Sequence, residues 1–246
     1  MSSDAGSASG RAWLAAPILF VAALIALALV WLIMEPEALH RAFDQDGYSP
    51  FELATLPFYA AIIPLVWWKC PFTGSAGRKA LLCSAVSCVA FMAVVKETDL
   101  HLAAMRYLYP DVVAGFKGTP FKMRFLTSGA VPIGAKVVAL SYFVLFFGVF
   151  GVTLAAFFPK LIKGIFSFNP AAWSMACFGA SGVMVQLCDR MPAWIRHLRG
   201  LPKSDVVDAT GSFFTAFEEG GEMMIAIFAL LAILQAHALY APKRDA

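Results

Sequence analysis

The stretch VVKETDLH (residues 94–101) ends an apolar run with two carboxylates and an imidazole, Glu97, Asp99 and His101. Much later, FEEGGEMM (217–224) sets Glu218, Glu219 and Glu222 at the start of another apolar run. Carboxylates and an imidazole suit a divalent ion such as zinc, manganese or iron. The expected ligands are His101, Glu97, Glu218 and Glu222. An ion held by them would acidify a bound water, with Glu219 or Asp99 as the acid/base group beside it. The same residue types also move ions, and Glu222, Glu218 and Lys136 would then form a protonatable relay inside the membrane. The chain has no HExxH, and Glu97 to His101 is one residue longer than the Glu-x-x-His spacing of di-iron bundles.

Depth and helical spacing give these residues weight. Glu222 lies about nine residues into the last apolar run, roughly 13 Å along a helix axis. An isolated carboxylate there costs roughly 2.5 kcal/mol or more, so Glu222 should face the bundle interior and have a partner. Glu218 and Glu222 are four apart and share a helix face, as do Glu97 and His101. Gly220 and Gly221, between the acids, leave room for close approach of a backbone or a ligand. Pro57 and Pro64 should kink the second span and free carbonyls toward the interior.

The elements that must position these groups are membrane helices. Of 246 residues, 60% are apolar and 14% charged, about half the charged share usual in soluble domains. Mean hydropathy is +0.73. The fold class expected is all-α, a polytopic membrane helix bundle of about six transmembrane helices, at roughly 12–34, 51–69, 80–97, 131–158, 171–188 and 213–240. The fifth is short and only weakly apolar. Residues 12–241 form one transmembrane helical domain, between a disordered N-terminal tail (1–11) and a C-terminal tail (242–246). The run after the N-terminal tail exceeds the core of a signal peptide and reads as a retained span. Five scattered cysteines without CxxC spacing read as small core residues. A net charge of +3, dispersed along the chain, gives no reason to expect nucleic acid as a partner.

With six spans, the start of span 2, the end of span 3 and the starts of spans 4 and 6 lie on one side. That side collects Asp46, Glu52, Glu97, Asp99, His101, Lys136 and the three glutamates of FEEGGE. The long connection 98–130 interleaves aromatics with Arg106, Lys117, Lys122 and Arg124, as in a segment lying at the membrane interface. Lys136, Lys122 and Arg124 are accordingly the candidate substrate-binding cations for a lipid headgroup. Plainer roles stand beside these. Asp46, Glu52 and Asp99, taken singly, mark the interface. Lys96 reads as the solvated partner of Glu97, and Gln235 and His237 as interfacial residues.

DGYSPFE entering span 2, KETDLH leaving span 3 and FEEGGE entering span 6 resemble a recurring pattern in bacterial polytopic membrane proteins with acidic and histidine helix-mouth motifs. They are also similar to the alkaline-ceramidase-like hydrolases of the CREST superfamily. That resemblance implies about seven helices, an intramembrane zinc and hydrolysis of a lipid amide or ester by zinc-bound water. The superfamily's last helix carries HxxxH where this chain has Glu218 and Glu222. What carries over is a metal site at His101, Glu218 and Glu222. The function expected is a metal-dependent hydrolase of a lipid-like substrate; the alternatives are a proton- or cation-coupled transporter and a structural subunit of a membrane complex. Membrane lipids are the expected partners, with a homo-oligomer or membrane complex as the assembly. The short even-numbered loops are denser in Lys and Arg, which predicts cytoplasmic termini in a bacterial inner membrane.

Overall fold

A computed structural model describes residues 11–43, 49–115, 123–200 and 209–240. All regular elements among them are helical. After a 3₁₀ turn (Ala12–Leu14) come α1 (Ala15–Ile33), α2 (Pro36–Phe43), α3 (Pro50–Lys69) and α4 (Ala76–Glu97). Three short helices follow in the long connection: α5 (Leu100–Leu108), α6 (Pro110–Gly115) and α7 (Met123–Thr127). Then come α8 (Ile133–Phe143), a π-helical turn (Val144–Gly148), α9 (Val149–Phe166), α10 (Pro170–Arg199) and α11 (Ala209–Tyr240). Among the described residues six helical stretches are long and apolar enough to cross a membrane, counting α8 through α9 as one. The protein is an all-α, membrane-embedded bundle.

Local sequence sets the helix ends. Ser49 opens α3 with a reciprocal cap: its Oγ accepts from the Glu52 amide (3.1 Å), while its own amide donates to Glu52 Oε2 (2.8 Å). Pro50 follows at the first helical position, where its missing N–H costs nothing. Glu52 is thus a capping residue; Asp46 lies outside the described residues. Pro57 and Pro64 fall inside α3, which continues through both. The fifth span is longer than the expected 171–188. It starts at the Asn169 cap and runs 30 residues to Gly200, because the stretch after Cys188, which mixes charged residues with Met191, Trp194, Ile195 and Leu198, stays helical.

The last helix is the axis. α11 packs along α10 and also against α1, α2 and α3; α4 lies on α3, and α9 touches both α4 and α10. Lipid is as apolar as these side chains, so close packing and polar contacts, not water exclusion, hold such helices together. One face of α11 puts Ala226 and Ile233 with Tyr59, Ile62 and Val66 of α3 and Cys83 and Ala90 of α4. Another puts Ala216, Met224 and Phe228 against Leu27 and Leu39. A Cβ on Gly220 would come within 2.5 Å of Leu27, and one on Gly221 within 2.6 Å of Val185. Glycine is therefore what lets α1 and α10 approach at the level of the acids.

At the opposite end, two polar contacts tie α11 to its neighbours. Buried Ser174 donates to Gln235 Oε1 (2.7 Å), and His237 Nδ1–H donates to the Lys69 carbonyl at the end of α3 (2.5 Å). These residues join helices, a role that their interfacial positions did not suggest.

Candidate functional site

Glu222 sits where α11 meets α3 and α4, and it is 8% exposed. Glu97 is the last residue of α4, with its side chain 4% exposed. Lys96 Nζ lies between them, 2.5 Å from Glu222 Oε1 and 3.2 Å from Glu97 Oε1. The Lys96 side chain is half exposed while its ammonium contacts both carboxylates. Glu219, one turn before Glu222, completes the set, and carboxylate oxygens of Glu97, Glu219 and Glu222 all lie within 4.8 Å of one another. Tyr59 closes the site from α3, its buried hydroxyl donating to the Glu222 carbonyl (2.9 Å).

Sequence spacing placed His101 and Glu218 in this group, and the structure does not bring them there. Among the described residues, the metal-sized acidic group is Glu97, Glu219 and Glu222. His101 is displaced because the helix does not continue past Glu97. Asp99 is left-handed (φ 51, ψ 18) and its amide donates to the Lys96 carbonyl (3.1 Å), so the chain turns before α5 begins. His101 then folds back under the end of α4. Its Nδ1–H donates to the Val95 carbonyl (3.2 Å), one of the last-turn carbonyls a helix leaves without a partner, and its ring stacks on Tyr142 (5.1 Å). Burial holds its imidazole below the ordinary histidine range, against the Val95 bond and the Asp99 charge, which raise it. Asp99 itself is exposed.

Glu218 departs for a rotational reason. Successive helix residues turn by about 100°, so Glu218 and Glu219 flank Glu222 on opposite sides. Glu219 falls on the α3–α4 side, whereas Glu218 lies within electrostatic reach of Cys188 on α10. The proposed substrate cations are also elsewhere. Lys136 is half-buried in the first turn of α8 and Arg124 is exposed on α7; neither pairs with these carboxylates. Lys122 lies outside the described residues.

Two residues of the site escaped the sequence reading. Its adjacency to Glu97 makes Lys96 read as a solvated partner, yet it is the cation of the cluster. Tyr59 is absent from the residues that the sequence singles out; the available signal is a hydroxyl in mid-span between Pro57 and Pro64.

Chemically, three carboxylates face one ammonium. In a low-dielectric interior that imbalance must be met by protons or by a further cation. The donors are all oxygen, a set that favours hard cations over zinc. No protein-family model, curated protein or solved structure matches the chain.

Proposed function

We propose that this protein is a proton-coupled membrane carrier whose proton-exchanging site is Glu97, Glu219 and Glu222 with Lys96. One observation carries the reading: a lysine ammonium bonded to Glu222 and Glu97 at the mouth of a buried site that holds a third carboxylate. A helix lock needs one acid per base. Three acids sharing one base leave positions that exchange protons as the helices shift, which is how intramembrane acids commonly serve pumps and transporters. Lys96 is suited to move with them, since its flexible side chain is half exposed while its ammonium is engaged. We place the protein in a bacterial inner membrane with both termini in the cytoplasm, so the site opens outward.

A second reading, the metal-dependent hydrolase, is favoured by the same 4.8 Å grouping of carboxylate oxygens. It requires a divalent ion to displace the Lys96 ammonium and to do without His101. Purification with manganese, zinc or calcium add-back and elemental analysis tests that reading: about one ion per chain, lost in Glu222→Ala, would move the assignment from carrier to metal site.

The carrier reading is tested by pH-jump currents on proteoliposomes adsorbed to a solid-supported membrane. Proton binding within the membrane displaces charge without any transported solute. Wild type is expected to give a transient current that Glu222→Gln and Glu219→Gln each reduce. Currents equal to those of empty liposomes would refute it.

A further inference from the structure

Away from the acid cluster, at the turn between α3 and α4, two thiols are in contact. Cys70 Sγ and Cys83 Sγ lie 3.8 Å apart, and Cys83 Sγ is 3.4 Å from the Val66 carbonyl oxygen. Their surroundings differ. Cys83 is 1% exposed, whereas Cys70 is partly exposed at the end of α3. Cys70 also takes φ 26, a backbone conformation that residues with a side chain rarely adopt. Neighbouring structure therefore holds it beside Cys83. Among the described residues, Cys88, Cys177 and Cys188 have no thiol contact of this kind.

We propose that Cys70 and Cys83 are an oxidation site, in which a peroxide converts the pair to an intramolecular disulfide that staples α3 to α4. The difference in exposure assigns the order. The Cys70 thiol, which oxidant can reach, gives up its proton and attacks one peroxide oxygen; the O–O bond breaks, the leaving hydroxide takes that proton and departs as water, and Cys70 becomes a sulfenic acid. The Cys83 thiol attacks that sulfur and passes its proton to the departing oxygen: the S–S bond forms, the S–O bond breaks and a second water leaves. Two thiols and one hydrogen peroxide give one disulfide and two waters, so the thiols lose the two electrons that the peroxide gains. The sulfurs must close from 3.8 Å to about 2.05 Å for the bond to form. The staple forms next to the Lys69 carbonyl that receives His237, so it fixes the end of the bundle where α3 and α11 meet.

The test uses the full chain in lipid nanodiscs, treated with hydrogen peroxide, denatured, alkylated, digested and read by mass spectrometry. In wild type the Cys70 and Cys83 peptides should be joined, lost from the alkylated fraction and released by dithiothreitol, while Cys88, Cys177 and Cys188 are alkylated. In Cys83→Ser, Cys70 should stop at the sulfenic acid and be trapped by dimedone. The wild-type readout does not depend on how the variant folds. Full alkylation of both cysteines after peroxide, or linkage of Cys70 to any other thiol, would overturn the proposal.

Discussion

Replacing Lys96 with methionine removes the only ammonium among the described residues that is bonded to the acid cluster, and keeps the length of the side chain. Two opposite unit charges about 4 Å apart attract by about 4 kcal/mol at an effective dielectric of about 20. The contacts here are shorter, 2.5 and 3.2 Å, but the lysine side chain is half exposed, so part of that attraction is screened. Breaking a fully buried pair costs about 3–5 kcal/mol, and an exposed pair is worth about 1 kcal/mol or less. The structure lies between, and Lys96→Met is expected to destabilise the folded protein by about 2–3 kcal/mol near neutral pH. The loss should shrink in acid, where a proton can take the place of the missing ammonium. The assay is reversible unfolding by SDS titration in mixed micelles, run as a double-mutant cycle with Glu222→Gln. Removing both partners should cost clearly less than the sum of the single losses, with a coupling of about 1–2 kcal/mol. A single-variant loss under about 0.5 kcal/mol, or strict additivity, would mean that Lys96 is solvated and that the cluster is not built on it.

Three further outcomes are expected. Gly221→Ala should destabilise by about 1–2 kcal/mol in the same unfolding assay, because the added methyl meets Val185 at 2.6 Å and the overpacking outweighs the gain in helix propensity. Ser49→Ala should cost about 1 kcal/mol by removing the cap of α3. His101 gives a pH dependence: burial lowers its folded-state value, so the unfolded chain binds the proton more tightly. Its contribution is present above about pH 6.5 and is lost as pH falls through the folded-state value. His101→Gln, which keeps a donor for the Val95 carbonyl, should flatten that acid limb in a thermal-unfolding series; an unchanged limb would assign it to other groups.

Much of the fold was legible because the bilayer imposes a simple rule of length and apolarity. Ala12–Ile33 is uninterrupted by charge, and Glu222 announced itself by depth. The fifth span was legible in its apolar half only, since the segment from Asp189 to Arg199 interrupts its apolar residues with charges. The site was less legible because it depends on events between elements. His101 was placed one helical turn beyond Glu97, a geometry valid only while the helix continues, and Asp99 ends it by entering the left-handed region. The choice of Glu219 over Glu218 depends on which flank of α11 meets α3 and α4, information that spacing along one helix does not contain. Lys96 was hidden by its neighbour: adjacent Lys and Glu read as a surface pair, and nothing in VVKE tells that Lys96 reaches across to a helix 126 residues away.

In the proposed carrier, Glu97, Glu219, Glu222 and Lys96 share protons that exchange with bulk water. Infrared difference spectroscopy of the lipid-reconstituted protein, cycled between acid and alkaline buffer, reads this directly through the carboxylic-acid carbonyl band. The wild-type spectrum minus that of Glu222→Gln, and minus that of Glu219→Gln, should each contain a reversible carboxyl component, and Lys96→Met should displace the pH at which it appears. If both difference spectra are flat, the buried carboxylates do not exchange protons over that range, and the carrier account is wrong.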